Sequence, residues 1–289
     1  MPAIHAQSFL LPLLLLLVPA PSVALRPAAR APRGVRGGAL PPLSMGWGAD
    51  LAFHKGEVVS SAAPYEGSKL IKVQVPEEVA KAHLIPGQFV QLKAETAEQP
   101  GFFAIANAPA AVEGPTVLEF LVKEAESSAN DWLLALGEGA TVEVSDVMGS
   151  GFRIQEHLLD AEPKLKEVLL IATGTGVAPM RAVINSGVLQ GVFEAGGKGT
   201  LLVGARTEAA LPFGAEFDDW KAKGWEVKTA LSKGAAGKKY VQDVLKEEVK
   251  LAAPDASAAL IVGQKGCWEE CREELLARGV AETRVRNNF

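Results

Sequence analysis

Between residues 56 and 152 the apolar positions come in short bursts separated by turn residues. Strand-like stretches cover residues 57–60, 69–75, 88–93, 102–106, 117–123 and 141–147. The second alternates: Leu70, Lys72 and Gln74 face one way, and Ile71, Val73 and Val75 the other, the period of a half-buried strand. Pro86-Gly87, Gln99-Pro100-Gly101 and Glu113-Gly114-Pro115 mark turns. One helix interrupts the series at residues 129–136, with Trp132, Leu133 and Leu136 at helical spacing. Six short strands at such spacing predict a small antiparallel barrel.

After a linker at residues 155–166 the rhythm changes. Residues 167–172 form an almost continuous apolar run, as expected of a strand buried on both faces. Further strands are predicted at 200–203, 226–231 and 258–262, with helices at 178–189, 214–221, 240–249 and 267–278. Alternating strands and helices imply a parallel sheet covered on both faces. Phe213, Phe217 and Trp220 share one helical face, read as core.

Residues 1–49 follow neither pattern. Residues 9–18 are apolar, but Pro12 breaks them and they fall short of the ~20 residues a bilayer span needs. They suit a secretory signal, with Ser22-Val23-Ala24 as a cleavage site before Leu25. Residues 25–49 are rich in Arg, Ala, Pro and Gly and lack acids, which is transit-peptide composition. A signal followed by such a segment resembles the bipartite presequence of algae with secondary plastids. It implies a plastid destination and a mature chain with no transmembrane span. A plain secretory signal followed by a linker, hence a secreted protein, is the alternative.

Charge splits at the same place. The 289-residue chain has 29 Lys and Arg against 34 Asp and Glu, a net charge of −5. Residues 1–49 hold four Arg and no Asp, Glu or Lys, so the remaining body stands at −9. That body lacks the cationic footprint that nucleic acid requires. Apolar residues make up 48%, enough to build cores. The two cysteines, Cys267 and Cys271, are too few for a disulfide scaffold or a four-thiolate iron–sulfur cluster. Four apart on one helix, they are read as helix packing in a reduced compartment. His54, His83 and His157 show no metal-ligand spacing.

The candidate chemistry sits at strand ends. Thr173-Gly174-Thr175-Gly176-Val177-Ala178-Pro179 follows the buried strand directly. Its glycines let backbone N–H groups approach a pyrophosphate at a helix N-terminus. Pro179 fits the first turn, where no N–H is needed. It also occupies the third glycine position of G-x-G-x-x-G, so the fingerprint is incomplete. Gly204-Ala205-Arg206-Thr207 follows the next strand. A site for NAD expects an acid there, whereas Arg206 suits the 2′-phosphate of NADP. Gly263-Gln264-Lys265-Gly266 follows a third strand. Three such ends in one parallel sheet would converge on one crevice, where ligands bind in open α/β folds.

With these motifs the chain resembles the ferredoxin–NADP reductase superfamily over residues 53–289, and in detail its plant plastid fruit-protein branch. Pro86-Gly87-Gln88-Phe89-Val90 is similar to the family's P-G-Q-[YF] strand, and residues 146–152 resemble the glycine-rich close of its barrel. The resemblance implies an antiparallel β-barrel domain at 53–153 that binds flavin, followed by an α/β parallel-sheet nucleotide-binding domain at 165–289. It puts FAD on Phe103, Ala104, Ile105, Asn107, Ser127, Ser128 and the terminal Phe289. It puts NADP or NAD on Gly174, Thr175, Gly176, Pro179, Gly204, Arg206, Gly263 and Gln264.

The flavin motif departs from the family's R-x-Y-[ST]. Gly101 replaces the arginine that clamps the pyrophosphate, Phe103 the stacking tyrosine, and Ala104 the hydroxyl residue. Losing one charge-assisted contact costs ~1.5–3 kcal/mol, about one to two decades in affinity. The alternative for Phe103 is a barrel core aromatic. Phe289 reads equally as an apolar chain end docked in a groove. Val262 stands where the family has a cysteine beside the nicotinamide.

The resemblance implies a flavin-dependent NAD(P)H oxidoreductase whose electron acceptor stays unnamed. Two alternatives remain open. One is a nucleotide-binding or sensing protein that kept the fold and lost the flavin. The other is an electron-transfer subunit of a larger complex, like that of dihydroorotate dehydrogenase, whose four-cysteine cluster is absent here. An acidic ferredoxin is a doubtful partner for a −9 body unless a basic patch such as Lys233, Lys238 and Lys239 receives it.

Overall fold

The structure, a computed structural model, describes residues 51–95, 99–109, 116–124, 131–235 and 237–288. Its first half comprises β1 (Phe53–Tyr65), β2 (Ser68–Gln74), α1 (Glu77–Ala82), β3 (Phe89–Lys93), β4 (Gly101–Ala104), β5 (Val117–Lys123), α2 (Asp131–Ala135) and β6 (Thr141–Ser145). The strands form an antiparallel sheet in the order β4-β3-β6-β1-β2-β5. Its two edges meet just beyond β4. Ile105 bridges Phe120, and the Ala106 N–H donates to the Glu119 carbonyl at 2.8 Å. The sheet is thereby closed into the expected barrel, which removes its exposed edges. Ile71, Val73, Val90, Leu92, Phe120 and Val144 fill the interior.

Three local features depart from the sequence pattern. β1 runs for 13 residues where 57–60 alone read as strand. Ser61 and Ala62 carry no strand signal, yet they pair with Ile71 and Leu70 of β2. Helix α1, unpredicted, starts after Pro76 with Glu77 and Glu78 in its first turn and buries Val79 and Ala80. The linker contains a π-helical turn, Gln155–Leu159, which buries Leu158.

The second half comprises β7 (Glu167–Thr173), α3 (Val177–Ser186), α4 (Gln190–Glu194), β8 (Lys198–Ala205), α5 (Phe217–Ala222), β9 (Trp225–Leu231), α6 (Val241–Glu248), β10 (Ser257–Val262), α7 (Lys265–Ala277) and β11 (Val285–Arg286). The strands form a parallel sheet in the order β11-β10-β7-β8-β9. Alternate residues of β7 serve opposite cores. Val168, Leu170 and Ala172 pack with α3, Phe213 and Trp220, whereas Leu169 and Ile171 pack with residues of α6 and α7. The continuous apolar run follows from this two-sided burial. Phe213 and Trp220 are fully buried core, but Phe213 precedes the helix in left-handed backbone, φ +58°, and Phe217 is half-buried.

The two sheets share a core. Ala106, Leu121 and Phe152 of the barrel half belong to the cluster built on β7 and α3. The long β1–β2 hairpin reaches across as well. The Tyr65 ring meets Phe213 edge-on at 5.6 Å, and the Glu66 N–H donates to Ala209 O at 2.9 Å. Among the described residues, no helix is long and apolar enough to cross a membrane.

Candidate functional site

The crevice arises where the chain leaves β7. The next strand, β8, lies on one side of β7, and β10 lies on the other. Their carboxyl ends therefore diverge at a topological switch point, the usual ligand site of open α/β sheets. The structure brings all three predicted loops to this edge. Gly174, Thr175 and Gly176 form a 3₁₀ turn between β7 and α3, and Pro179 is buried within α3. Gly204, the penultimate residue of β8, lies beside Thr173. Gly263 follows β10, with Gln264 as the N-cap of α7.

Two glycines in the turn are needed for different reasons. Gly174 has φ +55°, and a Cβ there would point into open space. Only a residue without a Cβ takes that conformation without strain, and the backbone stays open to a ligand. At Gly176 a Cβ would collide with the Val262 carbonyl, so the β7 and β10 loops approach too closely there for any side chain. Beside them a cleft of about 230 Å³ is lined by Ile261, Gly263, Lys265, Trp268 and Asn287.

Arg206 is exposed at the end of β8. Sequence reading missed a companion. The Lys233 N–H donates to the Arg206 carbonyl at 2.7 Å, and the Ser232 N–H donates to Ala205 O at 3.0 Å. The loop after β9 thus brings a second exposed cation beside Arg206. Tyr240, 41% exposed, stands at the N-terminus of α6 with the Lys238 ammonium 4.8 Å above its ring. Val241, the next residue, packs near Gly204. Only the β8–β9 pairing reveals this grouping. Lys239, by contrast, is paired with Glu247 and Glu248.

On the barrel side most of the predicted flavin side chains are engaged internally. Phe103 is 5% exposed and lies in the barrel core, edge-on to Phe120 at 6.3 Å. Ile105 is fully buried. Asn107 accepts the Glu119 N–H at 2.8 Å and donates to the Val117 carbonyl at 3.1 Å, tying its segment to β5. Ala104 is half-buried. Ser127, Ser128 and Phe289 lie outside the described residues. Strand pairing explains the arrangement. Phe103 faces Val90, and Gly101 faces Leu92, both partners being core residues. Phe102, opposite Gln91, points outward, is 52% exposed and meets Phe89 at 5.9 Å. The family motif, aligned by sequence, put the aromatic one residue away from the outward ring. The period-2 rule applied to 101–104 would have separated the two.

The cysteines of α7 are packed against the crevice wall, with the Cys267 sulfur near Gly263. Cys267 and Cys271 are free and buried on α7. The hydrogen bond between them holds the Cys267 thiol below its ordinary range and pushes the Cys271 thiol up. No cluster of metal-ligating side chains occurs among the described residues. A second cleft opens at the opposite, amino-terminal end of the sheet. There Glu167 accepts the N–H groups of Ala252 and Ala253 and the Ser257 hydroxyl, which makes it a loop anchor.

A closed antiparallel barrel followed by a switch-point parallel sheet defines the two-domain class of flavin and pyridine-nucleotide reductases. Residues 170–273 match the oxidoreductase NAD-binding domain family. The chain is 30% identical over 244 residues to the fruit protein pKIWI502 of Actinidia deliciosa, covering 78% of this chain and 74% of that one. The chain belongs to the ferredoxin–NADP reductase-like superfamily, with a FAD-binding-type barrel and an NAD-binding domain. Two solved structures share the fold at low identity. A ferredoxin NADP+ reductase from Neisseria gonorrhoeae with bound FAD and NADP has a TM-score of 0.67 at 17% identity, covering 82% of this chain and 99% of that one. The Amycolatopsis cytochrome P450 reductase GcoB has a TM-score of 0.68 at 19% identity, covering 82% and 69%.

Proposed function

We propose that this chain is a flavin-dependent NAD(P)H oxidoreductase, holding NAD(P)H in the switch-point crevice and FAD on the outward face of β4. The observation that carries this reading is the meeting of Gly174–Gly176, Gly204 and Gly263 at adjacent strand ends. Bound FAD would accept a hydride from the nicotinamide and pass electrons on to an acceptor that the chain does not identify.

The chain's own residues bind and orient. The turn at Gly174 and the first N–H groups of α3 suit a pyrophosphate. Arg206 and Lys233 give a 2′-phosphate two cations. Tyr240 offers a ring face to adenine. On the barrel, the exposed Phe102 ring fits the flavin plane, and Ala104 leaves only backbone there. Val262 beside Gly176 contributes shape and no thiol.

The test is the visible spectrum of the full chain after incubation with FAD, followed by anaerobic bleaching with NADPH or NADH. The expected outcome is a yellow protein bleached at lower NADPH than NADH. Arg206→Ala should weaken NADPH about 10- to 100-fold, as for loss of ~1.5–3 kcal/mol, and leave NADH unchanged. A protein that stays colourless sinks the reading. In that case NADP+ binding without flavin would favour the sensing alternative, which the inward Gly101 and Phe103 support. A plastid address rests on the acid-free composition of residues 1–49. Cytosolic fluorescence of a fusion carrying residues 1–49 in a plastid-bearing cell would remove it.

A further inference from the structure

Arg181 lies on α3, two residues beyond Pro179, and its side chain is only 14% exposed. Its Nε donates to the Glu216 carboxylate at 2.7 and 3.0 Å. One terminal nitrogen crosses to the barrel. It donates to Glu119 Oε2 on β5 at 2.9 Å and to the Ala106 carbonyl at 3.3 Å. The guanidinium carbon sits 4.8 Å from the centre of the Phe213 ring. The other Glu119 oxygen accepts Lys72 of β2 at 3.0 Å. Two cations and two carboxylates therefore close a neutral network across the junction of the two sheets.

Such a network is a poor choice for adhesion alone. Desolvation offsets most of the attraction in a buried ion pair, and apolar replacements often hold as well. Apolar packing is already present at this junction, through Leu121, Phe152 and the Tyr65–Phe213 contact. What a guanidinium adds is direction, because its donors lie in one rigid plane and fix where the acceptors sit. The two ends it joins are telling. Pro179 closes the proposed nucleotide turn, and Ala106 stands two residues after Ala104 on the proposed flavin face.

We propose that Arg181 is a positioning residue that sets the distance between the flavin face of the barrel and the nucleotide crevice. The proposal rests on the oxidoreductase reading above. Transfer between two bound rings is sensitive to placement, with ~1 Å of error costing on the order of 10²-fold in rate.

The test compares the full chain with Arg181→Met and Arg181→Lys. Rapid mixing of FAD-loaded protein with NADPH gives the limiting rate of flavin reduction, while titration gives NADP+ affinity and FAD content. In Arg181→Met the limiting rate should fall tenfold or more, with affinity and FAD content within about twofold of the parent. Arg181→Lys, which keeps the charge and loses the fork, should fall between. Amide exchange at Ala106, whose N–H donates to the Glu119 backbone carbonyl, should quicken tenfold or more in Arg181→Met, and this reading needs no flavin. A limiting rate within twofold of the parent overturns the proposal. So does an equal loss of rate and FAD content, which would mean packing alone, and so does unchanged exchange at Ala106. If Arg181→Met does not fold, Glu119→Gln carries the same comparison, with a smaller fall expected. A parent chain that takes up no FAD defeats the oxidoreductase reading and the positioning role together, whereas a flavin-loaded parent with an unaffected variant defeats only the latter.

Discussion

Phe102 and Phe103 carry the same ring and face opposite ways along β4, one opposite Gln91 and the other opposite Val90. The difference gives opposite expectations for the same substitution. Phe103→Ala empties part of the barrel core and should cost ~3–5 kcal/mol of stability. Phe102→Ala removes a half-exposed ring and should cost no more than about 1 kcal/mol, yet it should weaken FAD binding at least tenfold. Urea unfolding and FAD titration of both variants check this, and the reverse ranking would return the flavin contact to Phe103. His83 gives a second expectation at this scale. It is 2% exposed, neither ring nitrogen has a hydrogen-bond partner among the described residues, and burial lowers its pKa to about 4 from an ordinary 6.5. The unfolded chain takes up a proton below about pH 6.5, while the folded chain resists until about pH 4. Stability is therefore lost as pH falls through that window, by up to about 3 kcal/mol. Urea midpoints between pH 7 and 4.5 should fall less steeply in His83→Leu than in the parent, and equal slopes would show that His83 is not the source.

At the level of elements, what was legible depended on how many faces a segment buries. β7 and β10 bury both faces, so Val168–Ala172 and Ala258–Val262 read as unbroken apolar runs and were found almost to the residue. β2 buries Ile71 and Val73 on one face and was found by its alternation. The far half of β1 was missed because Ser61, Ala62 and Ala63 are small and half-buried or exposed. They are strand only because β2 folds back on them. β11 has two residues, held by β10 through Ala259 and Leu260, and no local pattern could report it. The site divides the same way. Its glycine turns are sequence-local and were read directly. Lys233 reaches Arg206 only through parallel pairing of β8 with β9. Which of Phe102 and Phe103 faces outward was not legible because a linear motif carries no sidedness, and strand pairing supplies it.

At the level of the whole molecule, the family was legible from motifs, whereas the docking of its halves was not. Nothing in the sequence linked Arg181 to Glu119, 62 positions away. Charge, however, is a whole-molecule property that sequence states directly, and it gives the last expectation. Outside residues 1–49 the body stands at −9. Of the three lysines that could have formed a receiving patch, Lys239 is paired with two glutamates, and Lys233 lies beside Arg206 in the proposed phosphate site. An acidic electron acceptor therefore meets net repulsion on approach. Salt screens that repulsion, with a Debye length of about 10 Å at 0.1 M falling to about 3 Å at 1 M. The rate of electron delivery to an acidic ferredoxin should accordingly be low at low ionic strength and rise with added salt. For a steered pair of opposite charge the trend is the reverse. Reduction of ferredoxin under NADPH, followed across 10 to 500 mM sodium chloride with a neutral dye acceptor as control, distinguishes the two. A rate that falls steeply with salt for ferredoxin alone would mean that a local basic surface outweighs the net charge and that the acidic partner fits after all.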